Sequence, residues 1–136
     1  MANASVLTLS CVLVAATLPI VCAGIAKRSG FGKPRREGGF DNHDPRAWLS
    51  RQQGLPARAN AAQSNSFEAL PFFIGAVTLA LITQAAPSRV DALAVAFIVC
   101  RLAYIATYLA DKAALRSVVW SLGLAANIAL LFSGVW

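Results

Sequence analysis

The chain is poor in the residues that build soluble active sites. It has one histidine, His43, and three cysteines, Cys11, Cys22 and Cys100. His43 stands without neighbouring ligands, which leaves no metal centre of the usual tetrahedral kind. The cysteines fall inside apolar runs with no CxxC spacing, so they read as buried structural thiols. There is no phosphate-binding Walker loop, no GxGxxG turn and no nucleophile–base triad pattern. Charge is also scarce, at 13% of residues. A soluble domain carries about 25%. No basic segment precedes the first apolar run, which reads as an uncleaved span and not as a signal peptide.

What is present is apolar. Of 136 residues, 57% are hydrophobic and the mean hydropathy is +0.60. The apolar residues gather into four runs, each near the ~20 residues needed to cross a bilayer core. They are expected at about 4–26, 58–83, 90–110 and 115–135. Pro19 lies within the first run and removes one backbone hydrogen bond there. Four spans joined by short turns predict one domain, an all-α transmembrane four-helix bundle with antiparallel neighbours.

Net charge is +6, and eight of the twelve Lys and Arg lie between Lys27 and Arg58. A nucleic-acid patch is one reading of such a cluster. Apolar spans on both sides favour a cytoplasmic loop, 27–57, obeying the positive-inside bias. No nucleic-acid partner is therefore expected, and both termini fall on the opposite side. Inside the loop, Asp44-Pro45 is a helix-start signal. A short interfacial helix from Pro45 to about Gln53 follows, with Trp48 and Leu49 expected to face lipid.

Ionisable side chains within a span are costly and mark functional positions by default. Glu68 in the second span and Arg101 in the third are the clear cases, and opposite charge suggests that they meet. Asn65 shares a helix face with Glu68. Arg101, Tyr104 and Tyr108 fall on one face of the third span, and Arg116 with Ser117 opens the fourth. Together these groups predict a polar pocket suited to a zwitterionic or polyanionic small molecule, because Arg forks onto carboxylates and Glu receives an ammonium. A purely structural role for the same groups is the competing reading. Asn127, alone in the fourth span, reads as interhelical glue beside the small residues Gly123, Ala125 and Ala126. The charges pair and do not line a continuous path, which argues against a channel.

The stretches RANAAQSNSFEALPFF (Arg58 to Phe73) and RLAYIATYLADKAALRSVVW (Arg101 to Trp120) resemble the MAPEG superfamily, membrane-associated proteins in eicosanoid and glutathione metabolism. The resemblance rests on order: Asn-x-x-Glu with a following Pro, then Arg with a Tyr seven residues on, then Arg-Ser. The short form looks like the bacterial branch, which implies a multi-pass protein of the bacterial inner membrane. The resemblance further implies a homotrimer that binds glutathione as co-substrate between subunits. By matching position, Asn65 and Glu68 would hold the glutathione backbone, with Arg101, Tyr104 and Arg58 around it. Arg116, Tyr108 and Ser117 would stand near the thiol, with Arg116 stabilising the thiolate. The implied activity is glutathione-dependent transfer to, or peroxidase action on, lipophilic electrophiles from the bilayer. Two positions depart from the prostaglandin-synthase-like members: Ser64 replaces an Arg and Tyr104 replaces a His. One lost charge-assisted hydrogen bond is worth about 1.5–3 kcal/mol. The alternative is a non-catalytic membrane scaffold that binds a lipid or a partner protein.

Overall fold

The computed structural model describes residues 4–136. Those residues form five α-helices and two single 3₁₀ turns, with no strand among them. Four helices are long and apolar enough to cross a membrane: α1 (Val6–Lys27), α3 (Leu55–Ile82), α4 (Pro87–Leu109) and α5 (Ala113–Leu131). The fifth, α2 (Pro45–Ser50), is short and lies in the basic loop.

Local chemistry explains the helix ends. Ser5 caps α1, its hydroxyl accepting the Thr8 amide at 2.9 Å, one of the four donors a helix start leaves unpaired. Asp44 caps α2 by accepting the Ala47 amide at 3.1 Å. Helix α3 begins at Leu55, ahead of Arg58, because Gly54 adopts a left-handed φ of 64° and Pro56 fits the first turn. Pro19 and Pro71 lie inside α1 and α3, and both helices continue through them. The α3–α4 and α4–α5 connections span only a few residues, which leaves antiparallel neighbours as the available geometry.

The four long helices pack on stripes that alternate three and four residues. Buried positions run Thr8, Cys11, Ala15, Leu18, Cys22 on α1 and Val90, Ala94, Phe97, Arg101, Tyr104 on α4. On α3 the stripe is Ala59, Ala62, Ser66, Phe73, Ala76, Ala80. This 3.5-residue repeat is that of left-handed bundles. Its many alanines let backbones approach where no hydrophobic effect separates helix from lipid. Phe73 stacks on Phe97 with ring centroids 4.3 Å apart. The outward faces are apolar instead, with Leu13, Ile20, Ile82, Val99 and Leu122 exposed. Helix α5 packs on α4 and α3 and is the least enclosed, with only Gly123, Asn127 and Leu130 buried along it.

At the end away from the loop, polar ties join the helices. Asp91 accepts hydrogen bonds from the Ser5 hydroxyl and, at 2.6 Å, from the Thr8 hydroxyl. Arg89 donates to the Ser133 carbonyl at 2.8 Å and to the Trp136 carbonyl, and its guanidinium lies 4.4 Å from the Trp136 ring centroid.

The basic loop has its own small core, and here the lipid-facing expectation for Trp48 is corrected. Trp48 is only 4% exposed. Its indole N–H donates to the Gly38 carbonyl at 3.2 Å, and its ring meets Phe40 edge-on at 5.3 Å. A buried indole needs both apolar contact and an acceptor, and the loop supplies both. Gly30 is obligatory beneath it, because a Cβ there would lie 2.4 Å from the Trp48 ring. Leu49 is half-buried and lines a hollow with Gln63 and Phe67 of α3. Arg35 pairs with Asp41 at 2.7 Å, and the His43 amide donates to the same carboxylate at 2.9 Å. The Arg35 guanidinium, then the His43 amide, hold the Asp41 carboxyl below the usual carboxylate range.

Candidate functional site

Arg101 takes a stripe position on α4 that its neighbours fill with apolar or aromatic groups, and it is 5% exposed. A buried charge persists only with partners, and α3 provides them. One Nη donates to Asn65 Oδ1 at 2.9 Å and the other to Ser66 Oγ at 3.1 Å. One turn along α4, the Tyr104 ring lies under the guanidinium with its centroid 4.4 Å from Cζ, within cation–π range.

Glu68 does not pair with Arg101. Among the described residues no ion pair joins them within 4 Å, and Asn65 stands between. Its amide accepts from Arg101 through Oδ1 and donates through Nδ2 to Glu68 Oε2 at 3.4 Å. The sequence expectation of a direct contact is corrected accordingly. Asn65 and Glu68 share a face at i, i+3, and the shorter amide reaches the guanidinium first. The Glu68 carboxylate stays exposed, with one long hydrogen bond.

The polar column continues toward the loop. Tyr104 meets Tyr108 edge-to-face at 5.6 Å, and the Arg116 guanidinium sits 4.2 Å from the Tyr108 ring centroid. Arg116 and Ser117 lie in the first turns of α5, where the chain has just returned from the tight Asp111 turn (φ 57°). Among the described residues the Arg116 guanidinium makes no ion pair. Ser117 donates to the Ala113 carbonyl at 3.2 Å. The structure thus brings Glu68, Asn65, Arg101, Tyr104, Tyr108 and Arg116 into one chain of contacts, with Ser117 beside it.

Arg58 is not part of that chain. Its Nε donates to the Leu109 carbonyl at 3.1 Å, and an Nη lies 3.9 Å from Asp111. It closes the C-terminal end of α4, where free carbonyls and the helix dipole favour a cation. Ser64, at the position of a departing charge, is exposed and donates back to the Asn60 carbonyl at 3.2 Å.

Two cavities flank the column. One, of about 160 Å³, lies among α3, α4 and α5 and is lined by Asn65, Glu68 and Arg101 together with Phe72, Phe97, Trp120 and Asn127. The other, of about 420 Å³, is lined by Tyr104, Arg116, Ser117, Trp120 and Ser121. Trp120 belongs to both walls. Sequence reading passed over Ser66, whose signal was its place in the three-four stripe of α3. It also took Asn127 for interhelical glue, yet the Asn127 Oδ1 is buried without a partner. Gln63 Oε1 is buried and unpartnered in the same way.

The set offers groups for both signs of charge. Arg101 has donors beyond the two it uses, Arg116 has a free fork, and Glu68 offers an exposed carboxylate. A search of curated proteins and of solved structures found no match. The sequence model of the MAPEG family matches residues 7–136, which take in the four long helices but for the first residue of α1, and every residue of the column. With that match over nearly its whole length, the chain belongs to the MAPEG family.

Proposed function

We propose that this membrane protein binds glutathione along the polar column and uses its thiolate to attack lipophilic electrophiles or hydroperoxides that arrive from the bilayer. The observation that carries the reading is the unbroken series of contacts from Glu68 through Asn65, Arg101, Tyr104 and Tyr108 to Arg116. It places an anion-accepting and an ammonium-accepting group on one side of Trp120 and a free guanidinium on the other.

On this reading Glu68 takes the ammonium of the tripeptide, and Asn65 with Arg101 takes backbone and carboxylate oxygens. Arg116 lies beside the sulfur and favours its ionised form, since a nearby positive charge lowers a thiol pKa. Tyr108 is the better hydrogen-bond donor to that sulfur, because the Ser117 hydroxyl is committed to the Ala113 carbonyl. In transfer, the thiolate forms a sulfur–carbon bond while the electrophile's leaving group departs with its electron pair.

Family membership supports a trimer with the ligand between subunits, and the exposed apolar faces of α3 and α5 are consistent with protein on one side and lipid on the other. The basic loop is proposed to face the cytoplasm. A second reading, a non-catalytic scaffold, is favoured by Ser64, whose hydroxyl turns back on its own helix and adds no charge to the site.

The test is glutathione-dependent turnover of a lipophilic aryl halide and of a lipid hydroperoxide by purified protein in nanodiscs. Turnover that falls at least tenfold in Arg116→Ala supports the enzyme reading. Absence of turnover in the unaltered protein, with no saturable glutathione binding, discards it.

A further inference from the structure

Where α1 ends and α3 begins, the basic loop encloses a hollow of about 480 Å³. Arg28, Ser29 and Lys33 form its polar wall, and Ile25, Phe31 and Leu55 its apolar wall. The loop core fixes the backbone that carries these side chains. The Gly30 carbonyl accepts the Phe40 amide at 3.0 Å, and Gly39 packs so closely on the Lys33 carbonyl that no Cβ would fit there. Phe31 meets Phe40 edge-on at 5.9 Å and still is 59% exposed. Nothing acidic lines the hollow. The carboxylates of the loop are engaged elsewhere: Asp41 by Arg35, Glu37 by Arg36, and Asp44 by the Ala47 amide. Among the described residues, Arg28 and Lys33 make no ion pair. A concave surface with two uncompensated cations concentrates an anion.

We propose that this hollow seats the headgroup of an anionic phospholipid, with Arg28 and Lys33 on its phosphate and Ser29 donating a hydrogen bond to it. A site for a soluble phosphate needs donors alone. Here half of the wall is apolar, and it lies at the level where two spans meet the membrane surface. Val21 and Val14 continue from Ile25 along α1 at spacings of four and seven, both exposed on one helix face. That strip is a bed for an acyl chain running from the headgroup into the bilayer. Basic side chains at the ends of spans draw anionic lipid in this way. The hollow shares no residue with the polar column, so the inference stands apart from the glutathione reading.

The experiment is native mass spectrometry of the full chain in detergent, titrated with phosphatidylglycerol, with phosphatidylcholine or with glycerol phosphate. One phosphatidylglycerol per chain is expected to bind about tenfold tighter than phosphatidylcholine, with no retention of glycerol phosphate. The double variant Arg28→Gln with Lys33→Gln erases that preference. Arg46→Gln with Arg51→Gln, which removes the same charge from exposed positions of the same loop, keeps it. Leu55→Glu leaves every cation in place but sets a carboxylate in the wall, and it too erases the preference. Equal binding of the two lipids, equal loss in both double variants, or a preference that survives Leu55→Glu overturns the inference. Glycerol phosphate held as tightly as the lipid also overturns it, in favour of a soluble anion.

Discussion

Arg101 holds the site together because it is a buried cation with three different partners: an amide, a hydroxyl and an aromatic face. Hydrogen bonds to a charged group contribute about 1.5–3 kcal/mol each in favourable cases. Arg101→Ala leaves Asn65 Oδ1 and Ser66 Oγ without their donor and is expected to destabilise the bundle by about 2–4 kcal/mol, read as a lowered midpoint of thermal unfolding in detergent. Arg101→Lys recovers little, because an ammonium cannot fork onto two acceptors. A midpoint unchanged in Arg101→Ala would remove the column's central member. Arg58→Ala has a different expected signature. It frees the end of α4 by about 0.5–1 kcal/mol, seen as faster amide exchange at Leu109 to Asp111, and leaves glutathione affinity unchanged. A tenfold loss of affinity there would return Arg58 to the ligand.

At the scale of elements, the long helices were legible in the sequence because their apolar runs match bilayer thickness and their turns are short. The basic loop was only partly legible. Asp44-Pro45 announced α2, but a Trp in a short amphipathic segment gives the same pattern whether it faces lipid or a loop core. Only the fold brings Gly30, Gly38 and Phe40 around Trp48. Gly30→Ala pushes a methyl into the indole and is expected to cost about 1–3 kcal/mol of local order, measured as faster trypsin cleavage at Arg35 and Arg36. Asp41 adds a pH dependence. Its carboxyl is held below the ordinary value by Arg35 first and then by the His43 amide. The stabilisation is therefore complete above the unfolded value of about 3.9 and is lost as pH falls through the lower native value. A carbon-13 carboxyl titration should place Asp41 below free aspartate, and Arg35→Ala should raise it; an unshifted midpoint in both would refute the pairing.

Across the whole molecule, the charged and polar residues concentrate toward the loop half of the bundle and the apolar packing toward the other. The sequence disclosed most of the polar residues that meet in the column, since Glu68 and Arg101 are conspicuous inside apolar spans. It could not disclose their connections. Opposite charge suggested a direct pair, whereas side-chain length on one α3 face lets Asn65 intervene. Arg58 sits about two turns from Asn65 on the same helix, and only the α4–α5 turn decides that it closes a helix end. Asn127 carries no sequence mark that separates a bonded amide from an unpaired one. An assembly of three copies is expected in mild detergent, with mass from light scattering as the check; a stable monomer that still binds ligand would confine the site to one subunit. The most direct test of the proposed site is a calorimetric titration of glutathione into the protein in nanodiscs, beside Asn65→Ala and Arg116→Ala. Saturable binding at millimolar concentration or tighter, weakened about tenfold (~1.4 kcal/mol) in each variant, is the predicted result. No saturable heat in the unaltered protein, or equal binding in all three, would contradict it.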